Sequence, residues 1–326
     1  MTSSYAFNGD ADGLCALQQL RLAAAAAGAA VGGETLITGV KRDISLLERV
    51  QGGPGDTCTV LDVSLDVNRA GLLALLEAGV SVRYFDHHFA GEIPQHPRLE
   101  AHIDADAKVC TSILVDRHLG GRFRPWAAVG AFGDSLVEQG RRLSQEAGLT
   151  PEAASRLAEL GVAINYNDYG ESIADLHVPP VELAAEMLRF VDPLQFAATS
   201  AAFRRLAQGF REDMEQAKRL APACQAPGAI VYELPDAAWA RRCSGTLAND
   251  LAKAHAGNAL AIVSQKTSGG YLVSLRVPSE SKVSAEVFCR RYPTGGGRRT
   301  AAGINHLPSG ELEAFKTAFE QQFRVS

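Results

Sequence analysis

Near its start the chain repeats one arrangement: a short apolar run ending abruptly on acidic or imidazole side chains. Tyr5-Ala-Phe7 leads into Asn8-Gly-Asp10-Ala-Asp12-Gly13, Thr59-Val-Leu leads into Asp62, and Val82-Arg-Tyr-Phe85 leads into Asp86-His87-His88. Helical stretches lie between these runs. One is rich in Leu and Ala over 14–30, and another is amphipathic over 67–77 with Leu72, Leu73, Leu75 and Leu76. A further strand-like run covers 35–40. Strands alternating with helices of this length predict βαβ units and a mostly parallel sheet. In open sheets of that kind ligands bind beyond the carboxyl ends of the strands, which is where these polar groups fall.

The rest of the chain reads as a helical region followed by a second α/β pattern. Residues 126–220 are largely helical, with breaks near Gly148–Pro151 and Val178–Pro180. Pro222 and Pro227 bracket a segment that continues no helix, and the domain boundary is placed there. Beyond it come a strand at 229–232, a helix near 245–256, and strands at 260–263 and 271–275 flanking Ser268-Gly-Gly270. A helix near 284–291, a glycine run and a last helix over 309–322 complete the pattern. The expectation is an α/β protein with a parallel-sheet domain over 1–190, a helical linker over 191–226 and a smaller α/β domain over 227–326.

Charge and cysteine usage narrow the function. The net charge of −5 does not suit a protein that wraps long duplex nucleic acid. Residues 1–225 carry 20 basic and 29 acidic side chains, whereas 226–326 carry 12 and 8. An acidic front half suits divalent cations and a basic back half suits an anionic substrate. The six cysteines form no C-x-x-C pair, so neither structural zinc nor a disulfide framework is indicated. With no signal peptide and no apolar stretch of membrane-spanning length, a cytoplasmic protein without membrane contact is expected.

Read on their own, the polar termini are suggestive rather than decisive. Asp10 and Asp12, two residues apart on a tight turn, can bridge hard divalent ions, or form an Asx-type turn in solvent. A calcium EF-hand loop fails because Gln19 stands where a bidentate glutamate is needed. Asp62 alone could cap a helix. His87 and His88 suit manganese, iron or zinc, and the carboxylate of Asp86 can orient an imidazole through its other nitrogen.

Taken in order, these groups resemble the DHH phosphoesterase superfamily, which includes RecJ-like exonucleases, nano-RNases and cyclic-dinucleotide phosphodiesterases. Asp10-Ala-Asp12-Gly13 is similar to the first motif, Asp62 in Leu-Asp-Val-Ser to the second and Asp86-His87-His88 to the third. Asp134 in Gly130-Ala-Phe-Gly-Asp-Ser135 matches the fourth more loosely. Gly295-Gly-Gly-Arg-Arg-Thr-Ala-Ala-Gly303 resembles the signature of the DHH-associated C-terminal domain, and Ser274-Leu-Arg276 resembles the strand before it. Two departures stand out. The family histidine two or four residues ahead of the first aspartate is replaced by Asn8 or Ala6, which puts one metal position and the ion count in question. Arg298 replaces the histidine that follows the glycines, and an arginine can hold phosphate bidentately.

The resemblance implies a manganese-dependent phosphohydrolase with two ions, Mg2+, Fe2+ or Co2+ being alternatives to Mn2+. Asp10, Asp12, Asp62, His87 and Asp134 would be the metal ligands, with Asp62 bridging. His88 would meet the scissile phosphate or leaving oxygen, and Asp86 would support it. Gly295, Gly296 and Gly297 would offer backbone amides to phosphate, Arg276, Arg298 and Arg299 would grip the distal part of the substrate, and Asn8 would contribute an amide oxygen. The expected substrates are short phosphodiesters or nucleotides bound in the cleft between the domains: oligoribonucleotides, linear dinucleotides or phosphoadenosine phosphate. No room is seen for the OB-fold domain of processive exonucleases. The alternatives are a pyrophosphatase or exopolyphosphatase and a catalytically weakened nucleotide or single-strand binder. The oligomeric state is left open, a homodimer included.

Overall fold

The computed structural model describes Thr2–Arg324. The chain forms two compact units: one runs to Asp168 and adds Leu176–Gln208, and the other joins Tyr169–Asp175 to the chain from Gly209 onward. The stretch 191–226, expected as a linker, is thus shared between the units, and the chain from 169 to 175 belongs with the C-terminal part.

The first unit contains β1 (Ser3–Phe7), α1 (Ala11–Ala26), β2 (Thr35–Ile37), β3 (Thr57–Leu61), α2 (Leu65–Glu77), β4 (Ser81–Asp86) and β5 (Leu99–Ile103). The helices α3 (Thr111–His118), α4 (Arg124–Gly133), α5 (Val137–Glu146), α6 (Pro151–Asn167), α7 (Pro180–Met187) and α8 (Pro193–Thr199) follow, and α9 (Ala201–Ala217) begins in this unit. The sheet is parallel throughout, in the order β2-β1-β3-β4-β5. The chain leaves β1 for one side of the sheet and returns on the other at β3. That reversal opens a crevice at the carboxyl ends of β1 and β3, where ligands bind in sheets of this order.

Four strands correspond to the runs read from sequence, and β5 is an addition. Leu99, Ala101 and Ile103 pack on the sheet core while Glu100 and His102 face the other way. The alternation marks an edge strand covered on one face.

The helices α1, α3, α4 and α6 pack on one side of the sheet around Leu14, Leu17, Trp126, Leu157 and Ile164, all buried. The first three turns of α1 are buried all round, so its alanines and cysteine belong to a helix wrapped by other helices. The glycines of α4 permit close crossing. A Cβ on Gly133 would come within 2.3 Å of the Ala11 Cβ, and one on Gly130 within 2.2 Å of Ser112 Oγ. Only glycine lets α4 lie this near α1 and α3, and the approach brings Asp134, the residue that caps the helix C-terminus, to the sheet crevice.

The second unit holds β6 (Cys224–Ala226), β7 (Ala229–Leu234), α10 (Ala238–Ala254), β8 (Ala259–Gln265), β9 (Tyr271–Arg276), α11 (Ala285–Cys289), β10 (Gly295–Gly297), β11 (Ala301–Leu307) and α12 (Leu312–Phe323). They form a mixed sheet, β10-β11-β9-β8-β7-β6, in which only β7 and β8 run parallel. The hairpin read at Ser268-Gly-Gly270 joins β8 to β9. Phe288, Phe315 and Phe319 fill the core beneath α11 and α12. The helix expected near 245 begins at Ala238, and the glycine run is itself a strand, stabilised by pairing with β11 rather than by its own side chains.

Candidate metal centre

Asp10 caps α1, its Oδ1 accepting from the amides of Asp12 and Gly13 at 2.9 and 3.1 Å. This fixes Asp12 in the first helical turn. Asp12 is aimed by the start of α3: Oδ2 accepts from the Thr111 amide at 2.7 Å and Oδ1 from the Ser112 amide at 2.8 Å. Asp62 follows β3 with φ of 60°, a left-handed conformation that aspartate tolerates better than most residues. Its Oδ1 accepts from Thr111 Oγ1 at 3.2 Å.

Around His87 Nε2 three carboxylates converge. Asp62 Oδ1 lies 3.3 Å away, Asp134 Oδ2 3.9 Å and Asp12 Oδ2 4.0 Å. His88 turns aside, its Nδ1 2.7 Å from Asp86 Oδ1 and 4.0 Å from Asp62 Oδ1. Asp86 is fully buried, and its Oδ2 has no hydrogen-bond partner among the described residues.

Asp10 adjoins this cluster through a side-chain hydrogen bond with Asp62. Its Oδ2 receives the ammonium of Lys41, which also donates to Asn165 Oδ1 at 3.0 Å. Asn8 braces the same corner: its side-chain amide donates to the Lys41 carbonyl at 3.4 Å, and its Oδ1 accepts from the Asp10 amide at 3.3 Å. Ala6 is buried in β1. Asp168 completes the surroundings, fully buried, with neither carboxylate oxygen hydrogen-bonded among the described residues.

The electrostatics separate the carboxylates. Burial, then the charges of Asp12 and Asp10, push Asp62 well above the usual carboxylate range. Burial and Asp12 raise Asp134 to about 6. Burial disfavours charged His87, but the hydrogen bond and charge of Asp62, with Asp12 and Asp134, raise it to about 10. Asp10 moves the other way: burial opposes its charge, yet the Lys41 ammonium holds it below the usual range. Burial and the Asp10 charge push Asp168 well up.

Three carboxylates and an imidazole fit a divalent cation. Asp62, His87 and His88 each offer a ligand atom within 4.8 Å of the others, and Asp12 and Asp134 approach His87 Nε2 at 4.0 and 3.9 Å. Oxygen and imidazole donors suit manganese, magnesium or iron. Lys41, Thr111, Ser112, Asn165 and Asp168 were not singled out by the sequence reading. Thr111-Ser112 ahead of an apolar run carries a helix-start signal, whereas Lys41 is marked only by following β2. A second group that could hold an ion, Glu100, His102 and His118, lies at the sheet edge, and there Arg83 already engages Glu100 at 2.9 Å.

In the C-terminal unit the predicted substrate residues gather at one end of the sheet. Ala301 pairs with Arg276 in register, so Arg276 adjoins the β10–β11 turn that carries Arg298 and Arg299. Arg298 is exposed. Arg299 donates to the carbonyls of Ser279 and Ser281, and Arg276 donates to Asn249 Oδ1 at 3.0 Å. The glycines differ in what they allow. A Cβ would lie 1.8 Å from the Cys289 carbonyl oxygen at Gly295 and 2.4 Å from the Ala302 Cα at Gly297, whereas at Gly296 it would meet open space. Of the three, Gly296 has open space where a side chain would stand, while its backbone pairs with Gly303.

No protein-family model matches the sequence, and no curated protein matches it. Solved structures do. RecJ from Thermus thermophilus in complex with Mn2+ is 23% identical with a TM-score of 0.66, covering 98% of this chain and 51% of its own. This chain thus spans about half the length of that RecJ. Another exonuclease RecJ, bound to manganese, is 21% identical with a TM-score of 0.62 over 98% of this chain and 89% of its own. A pGpG-specific phosphodiesterase from Vibrio cholerae is 14% identical with a TM-score of 0.56, covering 99% of both chains. At these identities the likeness is one of fold.

Proposed function

We propose that this chain, which has the DHH phosphoesterase fold, is a manganese-dependent phosphohydrolase acting on short phosphodiesters or nucleotides. The observation that carries the reading is the convergence of Asp12, Asp62 and Asp134 on His87 Nε2 at the carboxyl ends of β1 and β3. Bound there, a divalent ion supplies a Lewis acid that neutralises charge on phosphoryl oxygens and lowers the pKa of water.

The chain's own groups supply the rest. Thr111 and Ser112 hold Asp12 in place through their amides, and Thr111 Oγ1 fixes Asp62. With His88 Nδ1 engaged by Asp86, Nε2 is the atom left to meet a phosphate or to hold a proton for the leaving oxygen. Arg276 and the exposed Arg298 favour an anionic substrate. Shortness is supported by charge, since residues 1–225 carry an acidic excess and a long polyanion would be repelled. The Vibrio cholerae neighbour, named for cleaving the dinucleotide pGpG, points the same way.

The test is a panel of pApA, short RNAs, phosphoadenosine phosphate, pyrophosphate and polyphosphate with added manganese, using Asp62→Ala as control. Metal-dependent turnover of a short phosphodiester that falls by orders of magnitude in Asp62→Ala is the expected result. Turnover that survives in Asp62→Ala, or nucleotide binding with no metal-dependent turnover of any substrate, would overturn the reading.

A further inference from the structure

We propose that this chain holds a single divalent ion, at Asp12, Asp62, His87 and Asp134, and that the ammonium of Lys41 serves Asp10 in place of a second. The inference rests on the phosphohydrolase reading above and deepens it.

Both oxygens of Asp10 are already engaged, which leaves the carboxylate of Asp168 as the one beside it with no hydrogen bond among the described residues, and Asp168 faces the same ammonium. Asp10 Oδ1 accepts two backbone amides, and Oδ2 accepts from Lys41. Neither Ala6 nor Asn8, the residues four and two positions ahead of Asp10, supplies a ligand. Ala6 has no donor, and both ends of the Asn8 amide are used, one on the Asp10 amide and the other on the Lys41 carbonyl.

Lys41 is seated as a fixed part of this corner rather than as a passing surface charge. Its amide donates to the Asp168 carbonyl at 2.9 Å, its carbonyl accepts from Asn8, and its ammonium donates to both Asp10 and Asn165. A divalent ion on the same Asp10 oxygen would sit against that ammonium and be repelled. Among the described residues, no lysine or arginine pairs with Asp12, Asp62 or Asp134 in the way that Lys41 pairs with Asp10. The structure thus supplies one place that a metal can enter and one already filled by a side chain.

The test counts ions. Manganese titrated into the chelator-stripped protein by calorimetry, with electron paramagnetic resonance on the loaded sample, is expected to give one ion per chain with no exchange coupling to a second. Asp10→Asn is expected to retain that ion with affinity within about threefold of the wild type. Lys41→Met is expected to bind it too while losing most turnover. Two ions per chain, a coupled pair, or loss of the ion in Asp10→Asn would overturn the single-ion assignment while leaving a metal-dependent hydrolase standing. Lys41→Met with full turnover would overturn the role given to the ammonium. Absence of any bound manganese would instead overturn the metal reading itself, and this inference with it.

Discussion

Replacing Lys41 by methionine keeps most of the side-chain volume and removes one charge from beside Asp10, whose side chain is 3% exposed against 23% for Lys41. Two opposite charges about 4 Å apart at an effective dielectric near 20 attract by about 4 kcal/mol. The partial exposure of Lys41 reduces this, while the carboxylate left behind keeps its desolvation penalty, so the expected loss is about 2–4 kcal/mol. The sign with pH follows from Asp10. In the wild type burial opposes its charge, but Lys41 holds its pKa below the unfolded value. Its stabilising contribution is therefore complete above the unfolded value of about 4 and is lost as pH falls through the folded one. In Lys41→Met burial acts unopposed by that ammonium, the carboxyl pKa rises, and the deficit is greatest near neutral pH and shrinks on acidification. Urea unfolding of chelator-stripped protein at neutral and mildly acid pH measures both effects. The double variant Lys41→Met/Asp10→Asn should recover most of the loss. A single variant within about 0.5 kcal/mol of the wild type at neutral pH, or a deficit that grows on acidification, would refute the reasoning.

Other outcomes follow from the same geometry. His88→Asn should lower kcat by roughly 10²–10⁴-fold with manganese affinity unchanged in titration; a loss of the ion would place His88 among the ligands instead. Ion binding requires neutral His87 and charged Asp62 and Asp134, and in the ion-free protein His87 is raised to about 10 and Asp134 to about 6. Manganese affinity should therefore rise with pH, roughly tenfold per unit near pH 7–9 for each proton released, and calorimetry in buffers of different ionisation enthalpy should register that release. Gly295→Ala, with its Cβ 1.8 Å from a carbonyl oxygen, should destabilise the C-terminal unit by about 1–3 kcal/mol or more in urea unfolding. Gly296→Ala should fold like the wild type and raise KM for the nucleotide substrate.

Why some of this was legible in the sequence and some was not has a physical basis. Runs such as Thr59–Leu61 and Val82–Phe85 are buried strands, and a charged residue ending a buried strand is conspicuous in one dimension. The break at Gly148–Pro151 was equally plain, because Thr150 caps α6 and Pro151 occupies its first turn. β5 was missed because an edge strand covered on one face, with Glu100 and His102 on the other, resembles a polar loop. β10 was missed because three glycines have no side chains to show a strand pattern, and only the pairing with β11 makes them one. Lys41 was invisible for a different reason. It lies in the loop beyond β2, beside Arg42, and no spacing rule ties it to Asp10, Asn8 or Asn165, which reach it through the fold.

Strain and charge coincide at this centre, and together they bear on what a bound cation does for the fold. Among the described residues, Asp62 and Ser135 are the non-glycine residues with positive φ, at 60° and 64°. One is itself in the cluster and the other immediately follows Asp134. A left-handed conformation costs an ordinary residue about 1–2 kcal/mol, and a glycine would avoid the cost at either position. At 62, however, a glycine would have no carboxylate to place beside His87. The carboxylates of Asp12 and Asp62, both buried, and of the half-buried Asp134 add mutual repulsion, which the raised values of Asp62 and Asp134 register. Such strain persists where the surrounding structure over-determines the conformation, here through α3 on Asp12 and α4 behind Asp134. An ion that binds only this arrangement stabilises it by mass action. The loops that are least comfortable without a cation are therefore the ones that gain most from it, whereas the Asp10 corner, already neutralised by Lys41, gains little.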